Sequence, residues 1–341
     1  MKNAIWAIFI LIANAQAQQL IRPQEKHFKS MRQLTFGGEN AEAYFSGNNQ
    51  ELIFQSTRDG RKCDQIYTMN IKGEHVTMIS NGLGRTTCSF FNPVTSQIIY
   101  SSTFLSDSLC PPPASMAHGY VWAVYLGYDI FAAEPDGSNL NRLTTEYGYD
   151  AEGAFSPDGS KIAFTSDRDG DLEIYVMQAD GSNVRRVTNH PGYDGGAFFS
   201  PDGKMLVFRA QILATDEQLN EYRELLTQNL VKPSSLELFV INVDGGGRRQ
   251  ITDNGAANFA PYFHPSGKKI VFSSNMGEPQ GREFEIFMID IDGENLEQVT
   301  YSPGFDGFPM FSYDGKMLVF ASNRNDQKPH ETNIFTADWV E

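Results

Sequence analysis

Three aspartates recur in one setting: Asp150, Asp194 and Asp306 each close a Gly-aromatic-Asp triplet five residues ahead of a phenylalanine. Asn40, Thr86 and Asn258 hold the same place ahead of Phe45, Phe91 and Phe263, and Glu42 and Glu152 stand two residues further on. Carboxylates and amide oxygens converging from several segments suit a hard cation such as Ca2+. On that reading the metal ligands are Asp150, Asp194, Asp306 and Asn258. The competing reading is that each Asp or Asn satisfies backbone N–H groups of its own loop, as these residues do in turns.

Three cysteines and six histidines complete the inventory of reactive groups. With export to an oxidising compartment, three cysteines imply one disulfide and one thiol left over. Cys88 and Cys110 belong to the same repeat, and Cys88–Cys110 is the expected bridge. A Cys3His zinc site with Cys63 and His118 is the other use of these residues, although the spacing contains no C-x2-C pair. No Gly-x-Ser-x-Gly elbow occurs, and no Ser/His/Asp set falls on matched loops. The expectation is a protein without catalytic residues.

The elements that must position these groups are repeats. The stretch 148–188, GYDAEGAFSPDGSKIAFTSDRDGDLEIYVMQADGSNVRRVT, holds four short strand signals. Ser156-Pro157-Asp158-Gly159 joins the first two, with Pro pre-setting φ and Gly supplying the left-handed position. Copies begin at Phe45, Phe91, Phe155, Phe199, Phe263 and Phe311. Five copies carry a final strand, and the sixth stops at Asp338-Trp339; the segment 31–35, MRQLT, matches the missing strand. A four-stranded meander cannot bury both faces alone, so six copies argue for an all-β, six-bladed propeller closed by an N-terminal strand over residues 31–341.

The repeat FSPDG…IAFTSDRDG…IYVMQADGSNVRRVT resembles that of the TolB-like propellers, and the resemblance covers about nine tenths of the chain. It implies the propeller fold and an exported, periplasmic setting. The family's name-giving protein carries an α/β domain ahead of the propeller, for which residues 18–30 are too few. Fold does not dictate function here, since propellers host binding modules and enzymes alike. Lyases of oligogalacturonate resemble the same propellers but hold a metal with clustered histidines. In this chain His118, His190 and His330 fall in three different blades, and His75, His264 and His27 fall elsewhere.

Two intervals between anchors, Phe91 to Phe155 and Phe199 to Phe263, are about twenty residues longer than the rest. Both insertions, about 103–128 and 210–235, lie between the second and third strands of their blades, so both emerge on one face of the disc. The second opens with a capping box, Thr215-x-x-Gln218, followed by apolar residues at helical spacing, which predicts a short amphipathic helix in blade 4. The first concentrates Tyr120, Trp122, Tyr125 and Tyr128 behind Pro111-Pro112-Pro113. Those aromatics serve either as a hydrophobic plug or as a recognition surface. With Glu42 and Glu152 they mark the expected binding face.

Residues 1–17 read as a secretory signal peptide cut before Gln18, its apolar run too short to span a bilayer. Residues 18–30 have no period and read as a tail that either wraps the ring or is left mobile. The formal charge of −15 disfavours nucleic acid, which needs a basic face. Together these features describe a periplasmic or secreted monomer that binds a protein or peptide partner without entering the membrane. The alternative is a cation-dependent carbohydrate-active lyase or lactonase with its site at the channel mouth.

Overall fold

Alternation of apolar and polar residues in runs of about six, broken by Gly-containing turns, leaves the chain little choice but short antiparallel strands. The computed structural model describes residues 20–278 and 281–341, so the expected signal peptide and its cleavage point lie outside the described residues. Six four-stranded antiparallel sheets are arranged as the blades of a propeller. Their innermost strands are Asn40–Phe45, Thr86–Phe91, Asp150–Phe155, Asp194–Phe199, Asn258–Phe263 and Asp306–Phe311.

Each blade is locked by one pair of rings facing each other across its second and third strands. The pairs are Phe54–Tyr67, Tyr100–Phe131, Phe164–Tyr175, Phe208–Phe239, Phe272–Phe287 and Phe320–Phe335, with centroids 5.8 to 6.1 Å apart. Aromatic pairs directly opposite on a sheet contribute both area and a preferred geometry. Arg58, Arg168, Arg248 and Arg324 lay their guanidinium groups over these rings in blades 1, 3, 4 and 6. In the Ser-Pro-Asp-Gly turn, Ser156 Oγ donates to Asp158 and accepts from the Lys161 amide at 2.9 Å, while Gly159 sits at φ 69°.

The sixth sheet takes its outermost strand from the other end of the chain. Phe28–Gln33 pairs antiparallel with Asn333–Trp339, so the strand starts three residues earlier than the MRQLT segment suggests. The residues ahead of it are not a loose tail. Glu25 is 2 % exposed and bonds to Arg324, and the His27 ring stacks on Trp339 at 4.5 Å.

The two insertions meet. Trp122–Ala123 from the first pairs antiparallel with Leu230–Val231 from the second, forming a two-stranded sheet that spans blade 3. Ahead of it, helix α1 (Asp216–Thr227) lies between the second and third strands of the fourth sheet, with Thr215 and Gln218 in a capping box. The apolar stripe of α1 is buried at Tyr222 and Leu225, and Tyr222 shares one cluster with Val124, Leu172, Tyr193 and Val231. The helix therefore serves as a buttress for the insertion sheet.

The disulfide joins Cys63 to Cys110, not Cys88 to Cys110. The first insertion leans back over blade 1, which brings Cys110 to the loop between that blade's second and third strands. Cys88 lies within its inner strand and remains a free thiol. The same bridge removes two of the three sulfurs from the zinc reading.

Candidate functional site

Every inner strand carries a β-bulge at the same place. Pairing with the second strand slips between its second and fifth residues in all six blades. The third residue of each strand is left unpaired in the left-handed region: Glu42, Cys88, Glu152, Gly196, Ala260 and Phe308, at φ between 48° and 61°. Bulges re-aim side chains, and here all six point to the propeller axis. All six line one cavity of about 930 Å3 at the mouth of the channel.

The floor of that cavity is aromatic. Two residues after the bulge position stand Tyr44, Phe90, Phe198 and Tyr262, whose rings touch in sequence with centroids 5.3 to 5.9 Å apart. Tyr44 and Phe198 line the cavity, and their contacts with Phe90 and Tyr262 extend the aromatic layer behind it. Its sides include Phe259, Phe284 and Phe305 from blades 5 and 6. The insertions supply the rest of the wall: Tyr120, Trp122 and Tyr125 all line it, with Tyr125 donating to the Pro112 carbonyl at 2.9 Å. Residues read as either plug or recognition surface are thus wall, and the aromatic layer behind the cavity is built by the blades.

Glu152 is the most heavily bonded group in the cavity. It accepts from Thr165 Oγ1 at 2.6 Å, Tyr193 Oη at 3.0 Å and the Gly196 amide at 3.0 Å, and it pairs with Arg209. Arg209 also donates to Tyr193 Oη at 2.6 Å and lies 5.3 Å from the Trp122 ring. Burial works against the Arg209 charge, but the Glu152 carboxylate and neighbouring phenols more than offset it. Gly196 is required at its place in the ring, since a Cβ there would collide with this guanidinium. At the rim, Arg85 and Asp64 form a second ion pair at 2.7 Å.

Glu42 is treated differently. Among the described residues, the Cys88 thiol donates to it. Burial first, then the charge of Glu152, push the Glu42 carboxyl up to about 7, with Arg209 pulling the other way. Burial likewise pushes the Cys88 thiol well up, reinforced by Glu42 and Glu152, so the sulfur stays protonated and poorly nucleophilic.

The Asp/Asn set lies elsewhere. Asp150, Asp194, Asn258 and Asp306 are at most 2 % exposed, and none lines the cavity. Asp150 accepts from Arg168 Nη2 with both its oxygens, at 2.9 and 3.0 Å, Asp306 pairs with Arg324 and Asp194 with Arg248. Asn258 donates to the Leu236 carbonyl of the preceding blade at 2.8 Å. Each ties down its own blade or the link to the next, and the structure does not bring the four together. The bulge explains the offset: it turns the third residue to the axis and leaves the first in the sheet. Among the described residues, no three His, Cys, Asp or Glu side chains are grouped to hold a metal. Arg209 escaped the sequence reading, yet it left a signal, because the equivalent residues are Gln55, Ser101, Thr165, Ser273 and Ala321.

Comparison with known proteins agrees with this architecture. Residues 117–230 match the family model described as the Tricorn protease N-terminal beta propeller domain, and residues 232–330 match the TolB beta propeller domain. A protein assigned as TolB in Agrobacterium tumefaciens superposes with a TM-score of 0.59 at 18 % identity, over 89 % of this chain and 91 % of that one. TolB from Acinetobacter baumannii gives 0.58 at 18 %, over 90 % of this chain and 64 % of that one. An oligogalacturonate lyase in complex with manganese gives 0.52 at 15 %, over 94 % and 95 %. In sequence, the Tol-Pal system protein TolB of Bordetella pertussis is 54 % identical over 39 residues, 11 % of this chain and 9 % of that protein. Dipeptidyl-peptidase 5 of Porphyromonas gingivalis is 51 % identical over 41 residues, 12 % of this chain and 6 % of that protein. The matched stretches thus span under a tenth of these curated relatives.

Proposed function

We propose that this TolB-like propeller is an exported binding module, and that a protein or peptide partner presents a segment to the cavity beneath the two insertions. The observation that carries the reading is the cavity itself. All six blades contribute one residue to its ring, an aromatic layer lies at its floor, and the insertion sheet shapes its wall. A concave site with aromatic walls and placed polar groups is what binding requires. The Cys63–Cys110 bridge suits an oxidising compartment outside the cytoplasm. The test is retention of partners from a periplasmic fraction by the wild type and by Ala260→Trp, which fills the cavity from its ring. A partner held by the first and lost by the second is expected; equal retention would refute the site.

A second reading, a lyase or lactonase acting on a carbohydrate at the same mouth, rests on one observation. Burial and the charge of Glu152 push Glu42 up to about 7 beside an arginine-carboxylate pair, the range a general acid or base needs. The likeness to an oligogalacturonate lyase concerns the fold alone. Screening the purified chain on sugar acids and lactones, with and without EDTA, separates the readings, since turnover would displace the binding module.

A further inference from the structure

The cavity contains three acids and four bases, and their pairing is unequal. Glu152 holds Arg209, Asp64 holds Arg85 at 2.7 Å, and Lys232 reaches out of the cavity to Glu221 at 2.9 Å. Arg282 sits at the rim, 5.9 Å from the Tyr120 ring. Glu42 remains. No cation lies within ion-pair distance of it among the described residues, and its thiol neighbour is a weak, neutral donor. A carboxyl enclosed without a counter-charge must either keep its proton or recruit a cation from outside.

What surrounds Glu42 favours the cation. The rings of Tyr44 and Phe198 lie at the floor, and Phe259, Phe305 and Phe308 line the same cavity. Phe259 meets Phe308 edge-to-face at 5.3 Å and Phe305 at 6.3 Å, so the rings form a continuous patch. Aromatic faces attract an organic cation through their quadrupole, most strongly where water is excluded. A bulky anion would find the Arg209 and Arg85 charges already neutralised, and the Arg282 charge out at the rim.

We infer that the cavity seats an organic cation, an ammonium or guanidinium group carried by the ligand, with its charge on the Glu42 carboxylate and its body against the aromatic patch. This rests on the reading of the cavity as a ligand site, and it names the class of ligand. Groups facing Glu42 are the Cys88 thiol, the Tyr44 phenol, the Glu152–Arg209 pair and, further out, Asp64. Tyr44 and Cys88 are both pushed well up by burial and stay neutral, while Glu42 is pushed up to about 7.

The experiment titrates phenethylammonium, phenethylguanidinium and phenethyl alcohol into the full chain by calorimetry between pH 6 and 8.5. The two cations share a ring with the neutral alcohol and differ from it only in the head group. At pH 8 at least one cation is expected to bind tenfold or more tighter than the alcohol, and the tighter of the two identifies the head group. Its affinity should fall toward pH 6 as Glu42 takes up a proton, while that of the alcohol should not. Glu42→Gln should abolish both the preference and its pH dependence while leaving alcohol binding intact, which also reports that the variant is folded. Cys88→Ala, which removes the thiol donor to Glu42, should shift the loss of cation binding to higher pH. Equal affinity of cation and alcohol, a preference that survives in Glu42→Gln, or no binding of any probe would each overturn the inference. The partner-retention experiment with Ala260→Trp is independent of charge, so failure of the cavity as a ligand site would be seen there separately.

Discussion

Arg324 Nη2 lies 2.9 Å from Glu25 Oε1 across 299 residues of chain, with both side chains at most 1 % exposed. The same nitrogen reaches Asp306 at 2.5 Å. One guanidinium therefore joins the segment ahead of the first strand to the inner strand of the last blade. Removing one member of a buried charged group leaves the others uncompensated, at a cost of about 3–5 kcal/mol. Arg324→Met is expected to destabilise the chain on that scale in denaturant unfolding. Deleting residues 18–29 should also lower the melting temperature, because it removes Glu25, His27 and Phe28. A truncation as stable as the parent would contradict the packing of this segment.

A second buried acid makes stability depend on pH. Burial, then the adjacent Asp306 carboxylate, push Glu285 well above its ordinary value of 4.5. A carboxyl raised on folding binds more protons in the native state, so its stabilising contribution is complete at low pH and fades as pH rises past 4.5 toward and through neutrality. The melting temperature should therefore decline between about pH 5 and 8. Glu285→Gln, which keeps a donor for Asp306 but cannot ionise, should flatten that decline by several degrees.

Peptide mapping under non-reducing conditions should recover Cys63 linked to Cys110 and Cys88 unlinked. Iodoacetamide at pH 7 should modify Cys88 slowly in the native chain and rapidly after denaturation, since its thiol is held protonated. The bridge closes a loop of 47 residues, so Cys63→Ser with Cys110→Ser is expected to cost about 2–4 kcal/mol. Recovery of a Cys88–Cys110 peptide would overturn this assignment.

Trp122 connects three parts of the site: the insertion sheet, the Tyr193 ring at 6.2 Å and the Arg209 guanidinium at 5.3 Å. Trp122→Ala should weaken the contact between the insertions with little effect on the blades. Limited proteolysis should then cut within 103–128 several-fold faster, while the melting temperature changes by only a few degrees. Unchanged cleavage would mean that the insertions are held without it.

The blades were legible because each level of the sequence agrees: turn residues, strand period and aromatic anchors all repeat with one spacing. Thr215 and Gln218 announced α1 in the same way. The ring at the channel mouth was legible only in part. Glu42 and Glu152 belong to it, but Asp150, Asp194 and Asp306 do not, because a bulge breaks the strict alternation from which facing is read. Cys63 and Cys110 come together through the path of an irregular insertion, which no local pattern encodes. The pairing of Trp122–Ala123 with Leu230–Val231 is of the same kind, a contact between segments over a hundred residues apart with no shared motif. Arg209 was visible as an anomaly, a charge where its counterparts are small or neutral, and needed only a position-by-position comparison of the repeats.

The bulge also bears on how such a protein changes its habits. The six left-handed positions accommodate Glu, Cys, Gly, Ala and Phe on superposable backbone, so the residue at each can be exchanged without renegotiating the strand. Gly196 is one exception, held small by a neighbour's guanidinium, and Glu152 is another, since its loss would strand the buried Arg209 charge. The remaining four behave like interchangeable tumblers in a lock whose barrel is fixed. A lineage, or an experimenter, could re-key the cavity one tumbler at a time and keep a folded protein at each step.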